Sequence, residues 1–351
     1  MNFSDLSVVI LTRNREKYLI RNVKYWSNTN AKIIVADGSD ESLKSRLSEF
    51  NESLIYIHCK DSPEHRLYLA GQFIESPFTI IVADDDLLLF SGIKKCIDFL
   101  YSNPSYVSAL GTALSFEKNG SSVSFFDLYP ENIEFGNVSH ENCWDRSDYH
   151  LSNYAHTTMY AVLKSDVFIN LSKSLKGITK LDGNLLELII EYCISYSGKT
   201  MVIDEITWLR GNECPPNWKA ARPTIAWFLS LANKERGNLL AALDQNILSI
   251  QSSLPRKIRK LIFLKTMVKH HLKSYCSKLG IDPKYRWLIF PIIFIHINTL
   301  YLFKNKLKKR ITESSSYVGK GRTANKAIKT GKESSLLNSD LDSIIKVIAQ
   351  T

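Results

Sequence analysis

The chain has 351 residues, of which 44% are hydrophobic and 11% aromatic, which suits a large buried core and excludes a disordered or collagen-like polymer. The formal charge of +10 is unevenly placed, with 24 Lys/Arg against 30 Asp/Glu in residues 1–250 and 21 against 5 in residues 251–351. Six cysteines at 59, 96, 143, 193, 214 and 276 include no C-x-x-C pair, which argues against a zinc ribbon or a disulfide framework.

Short β-branched runs bounded by turn residues read as buried strands. Ser7–Leu11 is the first and ends at Thr12-Arg13-Asn14-Arg15; it lies so close to the start, after Asp5, that no signal peptide is expected. Tyr18, Leu19, Val23, Tyr25 and Trp26 have helical spacing. Lys32–Ala36 is a second strand, ending at Asp37-Gly38-Ser39-Asp40, and Leu54–Ile57 a third. Helical spacing returns at Leu67, Leu69, Ala70, Phe73 and Ile74. The strand Phe78–Ala83 then runs into Asp84-Asp85-Asp86, and Ile93, Cys96, Ile97 and Leu100 mark another helix. This alternation predicts an α/β fold with a mostly parallel sheet and helices on both faces. Ligands of such sheets bind outside the carboxyl ends of the strands, where Thr12-Arg13, Asp37 and Asp84–Asp86 all fall.

Val107–Leu114 and Val123–Phe126 read as strands joined by a hairpin turn at Asn119–Ser122. Tyr129–Tyr149, with His140, Trp144, Asp145 and Asp148, reads as a loop that closes over a ligand or is anchored by its aromatics. His156 opens an expected strand through Val162, as a phosphate or metal contact or as a satisfied core histidine. Gly183–Ile190 is a run of helix formers and Lys199–Ile203 a strand.

Three contiguous carboxylates repel one another. Either the turn is solvated or a hard divalent cation, Mg2+ or Mn2+, takes their oxygens together with those of a diphosphate. Val8–Arg15, Val35–Ser39 and Ala83–Asp86 resemble the nucleotide-binding half of GT-A glycosyltransferases, in particular the family 2 type, over roughly residues 5–100. Leu181–Glu187 and Gly198–Ile206 resemble the acceptor-side segment of a bacterial surface-polysaccharide subgroup. The resemblance implies a Rossmann-like mixed sheet. It places Thr12, Arg13, Asp37 and Arg66 on the nucleotide. It makes Asp84 and Asp86 a D-x-D pair, one near the ribose and one on the metal, with Asp85 less involved. The family often reads Asp-x-Asp-Asp, so the register is free to slip by one residue.

By the same resemblance the enzyme would transfer a sugar from a nucleotide-sugar donor to a hydroxyl of a saccharide or lipid-linked acceptor, with inversion. A metal stabilises the leaving diphosphate and a carboxylate takes the acceptor proton. Asp182 is the candidate base, with helix N-capping as its alternative role; Glu187 is the other candidate, or an exposed helix residue. Arg210 either reaches the diphosphate or pairs with a surface carboxylate. Two other readings stay open: a nucleotidyltransferase, which usually has a Gly-rich first loop that Thr12–Arg15 lacks, and a noncatalytic sugar-binding or scaffold protein.

The expected organisation is a transferase domain over 1–215, divided at 104/105, a mainly helical basic extension over 216–312, and a flexible tail over 313–351 in which Ile344-Ile345 and Val347-Ile348 mark a short helix. Arg256–Lys260 opens a helix with Leu261, Ile262, Leu264, Met267 and Val268. Residues 287–303 are apolar and flanked by Lys and Arg. They read as an interfacial segment on an anionic membrane surface, as a buried helix, or as a span at the lower length limit. No zinc-finger spacing or Gly-rich RNA motif accompanies the basic tail, so nucleic acid is not the expected partner. The expected location is cytoplasmic, peripheral to the inner face of the membrane.

Overall fold

The structure is a computed structural model that describes residues 2–50, 54–119, 122–129, 136–154, 158–179, 181, 183–213, 224–230, 233–278 and 335–349, with 282, 287, 290, 291 and 294. Strand and helix alternate first as β1 (Leu6–Thr12), α1 (Glu16–Ser27), β2 (Lys32–Asp37), α2 (Lys44–Ser48), β3 (Ile55–His58), α3 (Pro63–Gly71) and β4 (Phe78–Ala83). These four strands are parallel in the order β3-β2-β1-β4. Successive side chains of a strand point to opposite faces. Accordingly Val8, Ile10, Ile33, Val35, Ile80 and Val82 enter one core with Leu19 and Trp26 of α1, while Val9, Ile34 and Ile81 enter a second with Leu67 of α3. Burial on both faces explains why these strands read as unbroken apolar runs.

The second half supplies β5 (Leu87–Leu88), α4 (Phe90–Ser102), β6 (Tyr106–Asn119), β7 (Ser122–Leu128), α5 (Cys143–Ser152), β8 (Val162–Lys164), α6 (Ser165–Ser174), α7 (Gly183–Ser197) and β9 (Lys199–Gly211). The sheet continues from β4 as β8-β6-β9-β5, with β7 paired to β6. Here antiparallel pairs (β4/β8, β6/β8, β5/β9, β6/β7) surround the parallel pair β6/β9. The mixed sheet with helices on both faces agrees with the sequence-based fold.

Register sets the site. Thr12 lies opposite Asp37, and Leu11 opposite Ala83, so Asp84 emerges level with Thr12 at the same sheet edge. Ser62 caps α3, accepting from His65 N, with Pro63 in the first turn, as helix-start chemistry favours. Phe3, Trp26 and Phe90 form an aromatic knot, and Tyr25 stacks on Phe90 at 4.3 Å.

Two expectations change. The segment taken as a loop to Tyr149 becomes helix α5 from Cys143, capped by Asn142. The strand expected from His156 is a 3-10 turn at Thr158–Tyr160 followed by β8; His156 itself lies outside the described residues. The boundary at 215/216 also lies outside them. Beyond it, helices α8 (Thr224–Leu229), α9 (Lys234–Leu243) and α10 (Arg256–Lys278) send Phe228, Leu239 and Phe263 into the same core as Val9. Of 287–303, Phe290 and Phe294 pack against this core and Trp287 is exposed; most of the segment is outside the described residues.

In the tail, the short helix marked by Ile344-Ile345 and Val347-Ile348 is present and longer than expected, as α11 (Ser335–Ala349). Ile344 and Ile348 are fully buried in the core that holds Trp26. Asp340 accepts a hydrogen bond at 2.8 Å from Ser91 N in the first turn of α4, a helix whose own N-cap residue, Leu89, has no side-chain oxygen to offer. Asp340→Ala is therefore expected to cost about 1 kcal/mol, read as a lower urea midpoint at unchanged slope.

Candidate functional site

The acidic turn is built from its backbone outward. Asp86 N closes the turn on Ala83 O at 3.2 Å. The turn's carbonyls point into α1: Asn22 Nδ2 donates to Ala83 O at 3.1 Å and Asp86 O at 2.8 Å, and Arg21 Nη2 donates to Asp85 O at 2.9 Å. Arg21 also pairs with Glu213, just past β9. Buried carbonyls need such donors, and two consecutive helix residues provide them.

The three carboxylates then diverge. Asp86 is buried and accepts from Trp208 Nε1 at 2.9 Å and Gly211 N at 3.0 Å, so both its oxygens are engaged by β9. Burial, then the neighbouring Asp85 charge, pushes its carboxyl up to about 8 against these two stabilising bonds. Asp84 accepts from Thr12 Oγ1 at 2.7 Å and Arg15 Nη1 at 3.1 Å. Burial raises it to about 6, with the Asp85 charge adding to the rise and Thr12 and Arg15 opposing it. Asp85 shares Arg15 Nη1 at 2.9 Å through one oxygen. Gly211 is required where it stands, because a Cβ there would lie 2.4 Å from Asp85 O.

Around this turn the expected nucleotide residues separate into scaffold and rim. Asp37 is fully buried, its oxygens taken by Ser39 N at 2.8 Å and Tyr56 OH at 2.6 Å. Arg66 is buried too. Its Nη1 donates to Thr12 O and to Ala36 O at 3.0 Å, tying the ends of β1 and β2, and burial lowers its pKa. Gly38 packs on that guanidinium, where a Cβ would be 2.7 Å from Cζ. Thr12 is likewise buried. The exposed cations are Arg13 and Arg210, the latter donating to Tyr129 OH at 3.1 Å. Asn14, at φ 53°, locks the first loop through Ser39 and Asp40.

Asp182 lies outside the described residues. Glu187, half-buried on α7, accepts from Tyr154 OH at 2.8 Å. Burial and, after it, the Asp86 and Glu187 charges raise the Tyr160 phenol. Tyr160 also stacks on Trp208 at 4.4 Å. Behind α7, the buried pair His150–Glu191 at 2.7 Å holds Met159 N, fixing the turn that carries Tyr160.

Sequence reasoning missed Arg15, Arg21, Asn22, Tyr160 and Trp208. The polar pair at 21–22 on an otherwise apolar helix face was the available signal. It also passed over one mixed group, Cys59, Asp61 and His65, whose ligand atoms lie within 4.8 Å of one another at an exposed loop. A hard cation fits the acidic turn differently from the D-x-D expectation. Asp86 is spent on β9 and Asp84 on Thr12 and Arg15, whereas Asp85 keeps an oxygen outside these bonds. One carboxylate with phosphate oxygens and water suffices for Mg2+.

No protein-family model matches the sequence, and no curated protein matches it. In three dimensions the chain is similar to residues 1–349 of S. aureus TarS, with TM-score 0.51 and 12% identity over 86% of this chain and 82% of that one. The same fragment in complex with UDP-GlcNAc gives TM-score 0.53 and 12% identity over 84% and 81%. A longer S. aureus TarS chain gives TM-score 0.50 and 11% identity over 84% of this chain and 49% of that one, so this chain spans about half its length. The likeness is one of fold alone.

The buried carboxylates make stability depend on pH. Asp84 and Asp86 have folded pKa values raised from 3.8 to about 6 and about 8. Their contribution is full below the unfolded value and is lost as pH rises through the folded values. The ligand-free protein is expected to melt at progressively lower temperature from about pH 5 to about pH 8. Asp86→Asn is expected to flatten the upper part of that slope and to lower stability by about 1–3 kcal/mol, since an amide cannot accept from both Trp208 and Gly211. Melting curves against pH for both proteins check this.

Proposed function

We propose that the chain is a glycosyltransferase that moves a sugar from a nucleoside-diphosphate donor to a hydroxyl acceptor. The carrying observation is the polarity of the site: a buried scaffold at the ends of β1, β2 and β4, in which Arg15 meets Asp84 and Asp85, with Arg13 and Arg210 exposed at its rim. Three guanidinium groups suit a diphosphate, since Arg matches phosphate oxygens in fork geometry. A nucleotidyltransferase would be served by a similar edge, but no Gly-rich loop follows β1.

In this reading Arg13 and Arg210 bind the diphosphate, and Arg15 swings part of its fork from Asp84 and Asp85 to a phosphate oxygen. Mg2+ or Mn2+, held by Asp85, would neutralise charge on the departing diphosphate. The acceptor oxygen forms its bond to the anomeric carbon as the bond from that carbon to the diphosphate oxygen breaks, and the electron pair leaves with the nucleotide. Direct displacement inverts the carbon. The acceptor proton goes to a carboxylate, Glu187 or Asp182. Tyr154 holds Glu187 in place.

Binding is tested by thermal shift with nucleoside diphosphates and nucleotide sugars, with and without Mn2+. UDP and UDP-sugars come first, because a protein of similar fold was crystallised with UDP-GlcNAc. A ligand of the folded state raises the melting temperature. Arg13→Ala with Arg210→Ala is expected to abolish the nucleotide shift, and Asp85→Asn its Mn2+-dependent part. Folded protein that no nucleotide stabilises would sink the reading. For chemistry, Glu187→Gln is expected to lower turnover about 10²–10⁴-fold with the donor shift unchanged. Undiminished turnover moves the base to Asp182.

A further inference from the structure

Eight large hydrophobic side chains of the described residues are exposed, and Ile250, Leu254, Ile258 and Leu261, at 59, 37, 42 and 61%, fall within one short stretch. Such clustering is not the scatter that an ordinary surface shows. Ile258, Leu261 and Lys265 follow one another at three and four residues on α10, so they lie on one face, and Lys257 is a turn before Leu261. The opposite face buries Phe263 and Met267.

The charge around this patch has one sign. Helix α10 carries eight Lys and Arg and no Asp or Glu. Arg256 and Arg259 pair with Asp244, and Lys269 with Asp148. Lys257, Lys260 and Lys265 have no ion pair among the described residues. No helix of the described residues is long and apolar enough to cross a membrane.

We propose that the α10 patch docks the protein on an anionic lipid surface, with Ile250, Leu254, Ile258 and Leu261 dipping below the headgroups and Lys257, Lys260 and Lys265 on lipid phosphates. This goes beyond the transfer reaction and names a surface other than the apolar 287–303 segment. Mixed apolar and basic chemistry selects the occupant. A nucleic acid would use the lysines and leave the aliphatic tips in water. A second copy would set Lys257 and Lys265 against their own equivalents.

The test is flotation of the full chain with vesicles of phosphatidylcholine alone or mixed with phosphatidylglycerol. Binding is expected only to the mixed vesicles and to weaken with salt. Lys257→Gln with Lys265→Gln should weaken it about fivefold per charge. Ile258→Ser with Leu261→Ser, which touch no core, should weaken it further. In the otherwise native chain, Leu261→Trp should shift its emission to the blue on binding. Three results would overturn the proposal: no binding to mixed vesicles; binding that the serine pair leaves unchanged, as for a polycation that holds RNA equally well; or a dimer in solution that the serine pair dissociates.

Discussion

Three consecutive carboxylates at the end of a buried strand can be tolerated only if their charges are separated or compensated, and the architecture of the sheet edge follows from how this is done. Asp86 is taken by Trp208 and Gly211, Asp84 by Thr12 and Arg15, and Asp85 by Arg15 through one oxygen. Asp84 and Asp86 are buried enough for their neutral forms to compete near neutral pH, which reduces the repulsion further. Because Asp86 reaches β9, the turn after β4 is joined to the strand that ends at Arg210 and Gly211. The parallel and mixed parts of the sheet therefore meet at the acidic turn, as well as through β8.

That arrangement makes the site rigid before any ligand arrives. Arg21 and Asn22 remove the turn's freedom through its carbonyls, and Arg66 does the same for the ends of β1 and β2. Preorganised groups need little rearrangement when charge develops. Arg15 Nη1 is shared between Asp84 and Asp85, and in the proposed reading it exchanges part of that bonding for phosphate.

The strands were legible because both faces of the parallel sheet are buried, so Phe78–Ala83 and Lys32–Asp37 carry continuous β-branched sequence. That Thr12, Asp37 and Asp84–Asp86 share one sheet edge followed from the strand ends. Which of them are buried and bonded within the protein did not. Asp37 and Arg66 look in sequence like ligand contacts, yet burial commits them to neighbouring loops. Asp86 and Trp208 are 122 positions apart, a contact that no local pattern encodes. Helical spacing grouped Leu261, Met267 and Val268 on one helix, α10, where Met267 and Val268 are buried and Leu261 is exposed. Periodicity tells which residues share a face and not whether anything covers it.

The same helix shows how the uneven charge of the chain is used. The first 250 residues have an excess of acids, and part of that excess, Asp148 and Asp244, lies against α10 and takes Lys269, Arg256 and Arg259. Those pairs hold the helix to the domain and neutralise its inner charge. The remaining lysines are then concentrated beside the uncovered aliphatic residues. At physiological ionic strength a charge is felt over roughly 8 Å, so the local sign of this face, and not the sum over the chain, governs what approaches it. A locally basic, apolar-tipped face meets both the phosphates and the acyl boundary of an anionic layer in one orientation.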